Sequence, residues 1–218
     1  MNPLFWCVAK FMETKAWEWL SGKVLSRIHL RFWGEPAFKL DPGLLELHAA
    51  IRAWQEAGNC GVLAFATADH SSLTGKLVLL ATRGQFSHAG LLVAPAKFEE
   101  FKAMHMTASG LHWEHPMQAF SNEDEIKVVA FPMSRENAAQ ARARIGCFLA
   151  LRDVIRYDFE QRLGNDRRIY CSELVLMAVQ DLTDDPHAVP STILDRKGFS
   201  PDAVAACGVT IFERRKQR

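Results

Sequence analysis

The sequence predicts an α+β fold, because its apolar residues recur with two different periods in different parts of the chain. Within residues 44–57, and again from Ser134 onward, apolar side chains recur at the spacing of an amphipathic helix. Residues 85–93 instead alternate between two faces, as a strand with two distinct sides does. Hydrophobic residues make up 49% of the 218 residues, which is enough for a core of ordinary size.

Residues 1–57 form a predicted N-terminal helical extension, and residues 58–218 form the predicted main domain. Four of the six tryptophans lie in the first part of the extension: Trp6, Trp17, Trp19 and Trp33. A helix over residues 1–33 would use these rings to bind a membrane surface or a protein partner, or would pack them against the main domain. Its basic residues are spread along the segment and not gathered on one face, which favours packing. Residues 44–57 form a further helix that Gly58 closes.

Strands and helices are interspersed in the main domain. The predicted elements, in chain order, are a strand at 61–66, a helix capped by Ser71 or Ser72 that ends by Gly84, strands at 85–93 and 126–131, a helix from Ser134 and a helix from Cys171. The segment 95–125 is polar and rich in histidine, and we expect it to be irregular. The basic residues 214–218 are expected to form a solvated tail.

The charge balance excludes one large class of function. The chain has 26 basic and 25 acidic residues, which leaves a formal charge of +1. Binding to nucleic acid requires a basic field that neutralises phosphates, so we expect no nucleic-acid partner.

The N-terminus lacks the basic segment of a secretory signal, and no apolar run reaches the ~20 residues of a membrane span. We therefore expect a cytoplasmic protein, or one that is carried in a virion or released by lysis.

The cysteines predict neither a disulfide framework nor a structural zinc site. There are five, an odd number, and none forms a Cys-x-x-Cys pair. His112 and His115 are spaced like half of a metal site, but no second pair of ligands is obvious. We therefore expect no metal and no cofactor.

Cys171 and His88 are the residues best placed for chemistry. Cys171 opens a predicted helix, where backbone N–H groups and the helix dipole stabilise a thiolate and lower the thiol pKa. A nucleophilic thiol needs an imidazole as base, and His88 is the histidine placed mid-strand between small residues. An unreactive cysteine in the core is the alternative, since free cysteines are commonly buried.

Two motifs carry a resemblance to a known family. Residues 87–90 read Ser-His-Ala-Gly and residues 170–174 read Tyr-Cys-Ser-Glu-Leu, with Tyr157-Asp158-Phe159 between them. In this order they resemble the YiiX-like, permuted branch of the NlpC-type papain-like superfamily, to which lecithin:retinol acyltransferase is more distantly related. The resemblance spans roughly residues 60–200. It implies a circularly permuted papain-like fold, in which an antiparallel sheet carries His88 and His105 and the Cys171 helix packs against that sheet.

The resemblance also implies roles for individual residues. Cys171 would be the nucleophile, His88 the base, and a polar residue on the following strand would orient the imidazole. His105 is the best match for this third position, and Glu99, Glu100 and His112 are the other candidates. A core histidine with no catalytic role is the alternative for His105. The chain departs from the family at Gly61-Val62, where the family usually has Gly-Asp.

The implied activity is that of a cysteine hydrolase of the amidase, peptidase or thioesterase type, acting through an acyl-enzyme. The family's substrates point to peptidoglycan peptides or lipid acyl groups, and the sequence does not choose between them. Two alternatives stay open: a lipid acyltransferase, and a non-catalytic binding or structural protein that keeps the fold.

Overall fold

A computed structural model describes residues 42–70, 73–82, 84–94, 98–107, 109–120, 123–158, 168–183 and 199–216. The helices are α1 (Pro42–Glu56), α2 (Leu73–Thr82), α3 (Pro116–Ala119), α4 (Arg135–Ala150), α5 (Cys171–Val179) and α6 (Pro201–Ala206). The strands are β1 (Gly61–Ala68), β2 (His88–Val93), β3 (Lys102–Thr107), β4 (Gly110–Glu114), β5 (Glu125–Pro132), β6 (Arg156–Tyr157), β7 (Arg168–Ile169) and β8 (Val209–Arg215). The predicted helix within residues 1–33 lies outside the described residues.

The molecule is an α+β protein built on a six-stranded antiparallel sheet, as the sequence predicts at the level of fold class. The strand order is β4-β3-β2-β1-β5-β8, and β6 pairs with β7 in a separate two-stranded parallel ribbon. Strands β2, β3 and β4 are consecutive along the chain and adjacent in the sheet. Residues of these three strands, although separated along the chain, therefore lie side by side in the sheet.

Helices cover both faces of the sheet. Val62 and Ala64 of β1 belong to a core cluster with residues of α4, α5 and α6, whereas Leu63 and Phe65 belong to a second cluster with α1. Because successive side chains of a strand point to opposite faces, the two clusters lie on opposite sides of the sheet. We call them the α5 face and the α1 face.

Helix α1 is part of this core. Its residues Leu44, Leu47 and Ile51 are at most 2% exposed and belong to the cluster on the α1 face. They are spaced along one side of the helix, as the apolar periodicity predicts. The division of the chain at residues 57 and 58 stays a prediction, since residues 1–41 are not described.

The segment 95–125 was expected to be irregular, and this expectation is wrong. Strands β3 and β4 form a hairpin there, with Thr107 paired to Gly110. The four central residues of β3 are buried on both faces of the sheet. A strand covered on both sides does not show polar–apolar alternation, and its histidine made the segment resemble a loop.

Two strand boundaries also differ from expectation. The strand predicted from Gln85 begins at His88, because the N–H groups of Gln85 and Phe86 are donated to the Asp202 carboxylate. Arg214 and Arg215 were expected in a solvated tail, and they lie in the edge strand β8 instead, paired with β5. Main-chain hydrogen bonds hold this strand, whose side chains are mostly exposed or only partly buried.

Among the described residues, no helix combines the length and apolar composition that crossing a membrane requires.

Gly90 provides a test of the packing next to the histidines. A Cβ at this position would lie 2.5 Å from the Phe65 ring and 2.6 Å from the Met104 carbonyl oxygen. We expect Gly90→Ala to lower the free energy of unfolding by about 1–3 kcal/mol, because neither neighbour has space to move.

The matched control is Gly146→Ala in α4, where nothing lies within 4 Å of the added Cβ. There the change should raise the free energy of unfolding by about 0.5–1 kcal/mol through helix propensity. Urea unfolding measures both variants. Equal midpoints for wild type and Gly90→Ala would contradict the packing.

Candidate active site

Cys171 is the first residue of α5, as the sequence predicts, and it is 4% exposed. Tyr170 precedes it as N-cap, with its backbone N–H 3.4 Å from the Glu173 carboxylate. The first N–H groups of a helix have no acceptor within the helix, so they are directed at whatever lies before the first turn. The thiol and these N–H groups thus occupy the same end of α5.

The thiol accepts hydrogen bonds from the backbone N–H groups of Ala89 and Ser172 and from the Tyr157 hydroxyl. Burial is the larger effect and raises the pKa of the Cys171 thiol despite these donors. The helix terminus alone predicts a lowered pKa for the Cys171 thiol, and this prediction is wrong. Burial raises the pKa of the Tyr157 hydroxyl well above its usual value too, so it stays a donor to the sulfur.

His88 is the first residue of β2, and not a mid-strand residue as the sequence predicts. It lies on the α1 face, where its ring contacts Phe65. Its Nε2 lies 2.8 Å from Nδ1 of His105 on the neighbouring strand β3. Burial, with smaller contributions from His105 and His112, lowers the pKa of His88 to about 3. The imidazole is therefore neutral at physiological pH.

His105 is hydrogen-bonded through both ring nitrogens. Its Nε2 lies 2.9 Å from Oε1 of Glu114 on β4, opposite the nitrogen that faces His88. The hydrogen bond from His105 is the main reason why the pKa of the Glu114 carboxyl is lowered. A line of hydrogen bonds thus runs from a carboxylate through two imidazoles.

The Cys171 thiol lies beside the start of β2, the strand that His88 opens. Ala89, whose N–H is donated to the sulfur, directly follows His88 in the chain. The N–H groups of a strand point along the sheet, so the donor from Ala89 is directed along the sheet and not toward either face. Helix α5 brings Cys171 from the α5 face, and His88 approaches from the α1 face. Since Nε2 of His88 is used by His105, Nδ1 is the nitrogen that remains for the thiol.

The other candidates for the third position are not at this point of the site. Glu99 and Glu100 lie in an exposed 3-10 turn. His112 is paired with His105 across β3 and β4, and its Nε2 is 2.8 Å from the Ser109 hydroxyl. The structure thus places His105, and not these residues, against the His88 ring.

His115 and His112 have separate partners. His115 caps α3, accepting the Met117 N–H at 3.2 Å through Nδ1, while its Nε2 lies 3.1 Å from the Phe98 carbonyl. Within the described ranges, no group of three or more His, Cys, Asp or Glu side chains is arranged to hold a metal ion.

Two other side chains beside Cys171 have structural partners. The Tyr170 hydroxyl accepts the Phe199 N–H at 2.8 Å, and the Ser172 hydroxyl donates to the Phe199 carbonyl. Together they fix the chain that leads into α6 against the start of α5.

Sequence reasoning missed three groups of the site: the Glu114 carboxylate, the Tyr157 hydroxyl and the Ala89 N–H. Tyr157 belongs to one of the motifs, but nothing local assigns it a role. Glu114 could have been found from period-two spacing with His112, once β4 was recognised as a strand. A backbone N–H has no signature in sequence.

Comparisons with known proteins give one likeness. No family model matches the chain, and no curated protein matches it. The crystal structure of the metalloprotein YiiX from Escherichia coli O157:H7 aligns with 23% sequence identity and a TM-score of 0.43. The alignment covers 56% of this chain and 65% of that one.

The hydrogen bond from the Tyr157 hydroxyl should affect the pH at which the Cys171 thiol reacts. Tyr157→Phe removes a donor to the sulfur and should move the midpoint of Cys171 alkylation by iodoacetamide about one pH unit higher. Peptide mass spectrometry follows Cys171 and the exposed Cys147 in the same sample, so that Cys147 is an internal control. In wild type, Cys171 should react more slowly than Cys147 at neutral pH. A lower midpoint for Cys171 than for Cys147 would contradict a buried, protonated thiol.

The lowered pKa of His88 predicts how stability depends on pH. The unfolded chain binds a proton at this histidine near its ordinary pKa of 6.5, whereas the folded protein does so only at about 3. Stability from the neutral ring is therefore complete above pH 6.5 and is lost as the pH falls toward 3.

Below about pH 6, the free energy of unfolding of wild type should fall more steeply than that of His88→Asn, by about 1.4 kcal/mol per pH unit. Urea unfolding at a series of pH values gives the two slopes, and a constant offset between them does not matter. Parallel slopes would show that the ring is not held neutral.

Proposed function

We propose that this protein is a cysteine hydrolase with a circularly permuted papain-like fold. It would cleave an amide, ester or thioester through an acyl-enzyme on Cys171. One observation carries the proposal: a thiol at a helix start accepts the N–H of the residue after His88, whose ring is already hydrogen-bonded to His105. Nucleophile, base and orienting group are the three parts that thiol-based acyl transfer needs.

Acylation begins from a neutral pair. The Cys171 S–H proton passes to Nδ1 of His88 as the sulfur bonds to the substrate carbonyl carbon, and the carbonyl oxygen becomes an oxyanion. The N–H of Cys171 and the Tyr157 hydroxyl are the donors placed to stabilise that charge. The carbon–leaving group bond then breaks, and His88 returns its proton to the leaving amine, alcohol or thiol.

Deacylation reverses these roles. Water attacks the thioester carbon while its proton passes to Nδ1 of His88, and the sulfur leaves and regains that proton. The products are a carboxylic acid and the free thiol. Because the pKa of Cys171 is raised and that of His88 lowered, the proton moves during attack and is not transferred beforehand. This is general-base catalysis and not a resting thiolate–imidazolium pair.

The substrate class follows the family resemblance: peptidoglycan peptides or lipid acyl groups. An acyltransferase would use the same first step and differ only in the acceptor that resolves the thioester. A product analysis therefore separates the two activities, since hydrolysis releases a free acid and transfer yields a new ester or amide.

The test is the formation of an acyl adduct. Full-length protein is mixed with an activated p-nitrophenyl acyl ester, and peptide mass spectrometry locates the acyl group. We expect the adduct on Cys171, with its rate of formation lowered about 10²–10⁴-fold in His88→Ala. His70→Ala is the matched control and should react as wild type does.

An adduct that forms equally on Cys171 and the exposed Cys147, at a rate independent of His88, would contradict the proposal. That outcome would favour the non-catalytic protein that keeps the fold.

A further inference from the structure

Glu114 lies on the edge strand of the sheet, at the end of the hydrogen-bonded line that leads to His88. The three residues occupy three adjacent strands, His88 on β2, His105 on β3 and Glu114 on β4. In the strand register His105 pairs with Gly90 and Glu114 pairs with Ala103. The partner of His105 on β2 is therefore two residues after His88, and the partner of Glu114 on β3 is two residues before His105. This offset puts the three side chains on the α1 face, along one diagonal across the strands.

The carboxylate at one end of this line determines which ring nitrogen of each histidine carries the proton. An ionised carboxylate only accepts hydrogen bonds, so Nε2 of His105 must carry a proton and donate it to Glu114. With its single proton on Nε2, the His105 ring has a lone pair on Nδ1, and that atom accepts from Nε2–H of His88. A neutral His88 protonated on Nε2 has its lone pair on Nδ1, the nitrogen left for the thiol.

We propose that Glu114 is a positioning residue that sets the tautomers of both histidines and so makes Nδ1 of His88 a proton acceptor. Without the carboxylate, the line of hydrogen bonds is equally satisfied in reverse, with His105 donating from Nδ1 to Nε2 of His88. His88 would then carry its proton on Nδ1 and could not take one from Cys171. The consequence for catalysis rests on the proposed function, whereas the tautomers themselves do not.

The burial of the site makes this control effective. His105 is 7% exposed, so water does not compete readily for its ring nitrogens. Glu114 is nearer the surface, with its side chain 26% exposed, and so keeps its charge at a modest desolvation cost. The carboxylate is hydrogen-bonded to His105 and would act on His88 through that ring, which makes Glu114 a positioning residue and not a catalytic one.

The tautomers can be measured directly by NMR on full-length protein with histidine labelled with nitrogen-15. Long-range proton–nitrogen spectra at neutral pH distinguish a protonated from a bare ring nitrogen, and His88→Asn and His105→Asn assign the signals. In wild type we expect both rings to be protonated on Nε2 and bare on Nδ1. A proton on Nδ1 of His88 in wild type would overturn the proposal without any variant.

Two variants test the role of the carboxylate. Glu114→Leu removes the acceptor, and we expect the Nδ1-protonated form of His88 to appear. Glu114→Lys replaces the acceptor by a donor and should make that form predominate. Glu46→Leu, at an exposed position of α1, is the matched control and should leave both tautomers unchanged.

The rate of acyl-adduct formation on Cys171 is measured on the same samples. We expect a decrease of about tenfold or more in Glu114→Leu, in step with the fraction of His88 in the wrong tautomer. Unchanged tautomers and an unchanged rate in Glu114→Leu would overturn the positioning role and leave the proposed function standing. Expected tautomers together with no adduct in wild type would refute the proposed function instead.

Discussion

The hydrogen bond from the Ala89 N–H to the Cys171 thiol is the contact on which the arrangement of the site depends. It ties the start of helix α5 to the start of strand β2. Without it, the Cys171 thiol and the histidines would belong to different layers of the molecule, because α5 packs on one face of the sheet and His88 lies on the other.

The second constraint is burial. It raises the pKa of Cys171 and lowers the pKa of His88, since each charged form loses water. Although one pKa rises and the other falls, both shifts favour the uncharged thiol and the uncharged imidazole. A neutral pair transfers a proton productively only if the imidazole presents a bare nitrogen to the thiol. This requirement connects the electrostatics of the site to the tautomers that Glu114 controls.

Part of this fold could be predicted from local sequence patterns, and the reason is visible in particular elements. Helices α1 and α4 each bury one apolar stripe, and the Ser134 cap of α4 accepts the Asn137 N–H at 3.1 Å, as its position suggests. Helix α5 is apolar and is buried on nearly all sides. Local patterns did not predict the hairpin of β3 and β4, because its positions on the α1 face include His105 and His112. Only the family resemblance placed His105 on a strand. Polar residues that face the inside of a site look like loop residues in a sequence. The edge strand β8 escaped prediction because backbone pairing, and not an apolar face, holds it.

The candidate site, too, was predictable from the sequence only in part. Cys171, His88 and His105 were singled out by motif and resemblance, and the structure places the two imidazoles 2.8 Å apart. The direction of the thiol pKa could not be predicted, because burial depends on what packs around α5. Glu114 and Tyr157 contact the site only through the tertiary arrangement, since neither is near His88 or Cys171 in the chain.

The proposed reactive pair of the Cys171 thiol and Nδ1 of His88 can be tested by a crystal structure of the protein with an aldehyde bound to Cys171 as a hemithioacetal. We expect Nδ1 of His88 to lie within about 3.5 Å of the sulfur or the hemithioacetal oxygen, with Nε2 still on His105. A His88 ring that stays on the α1 face, with Nδ1 separated from both atoms by more than one water molecule, would contradict it.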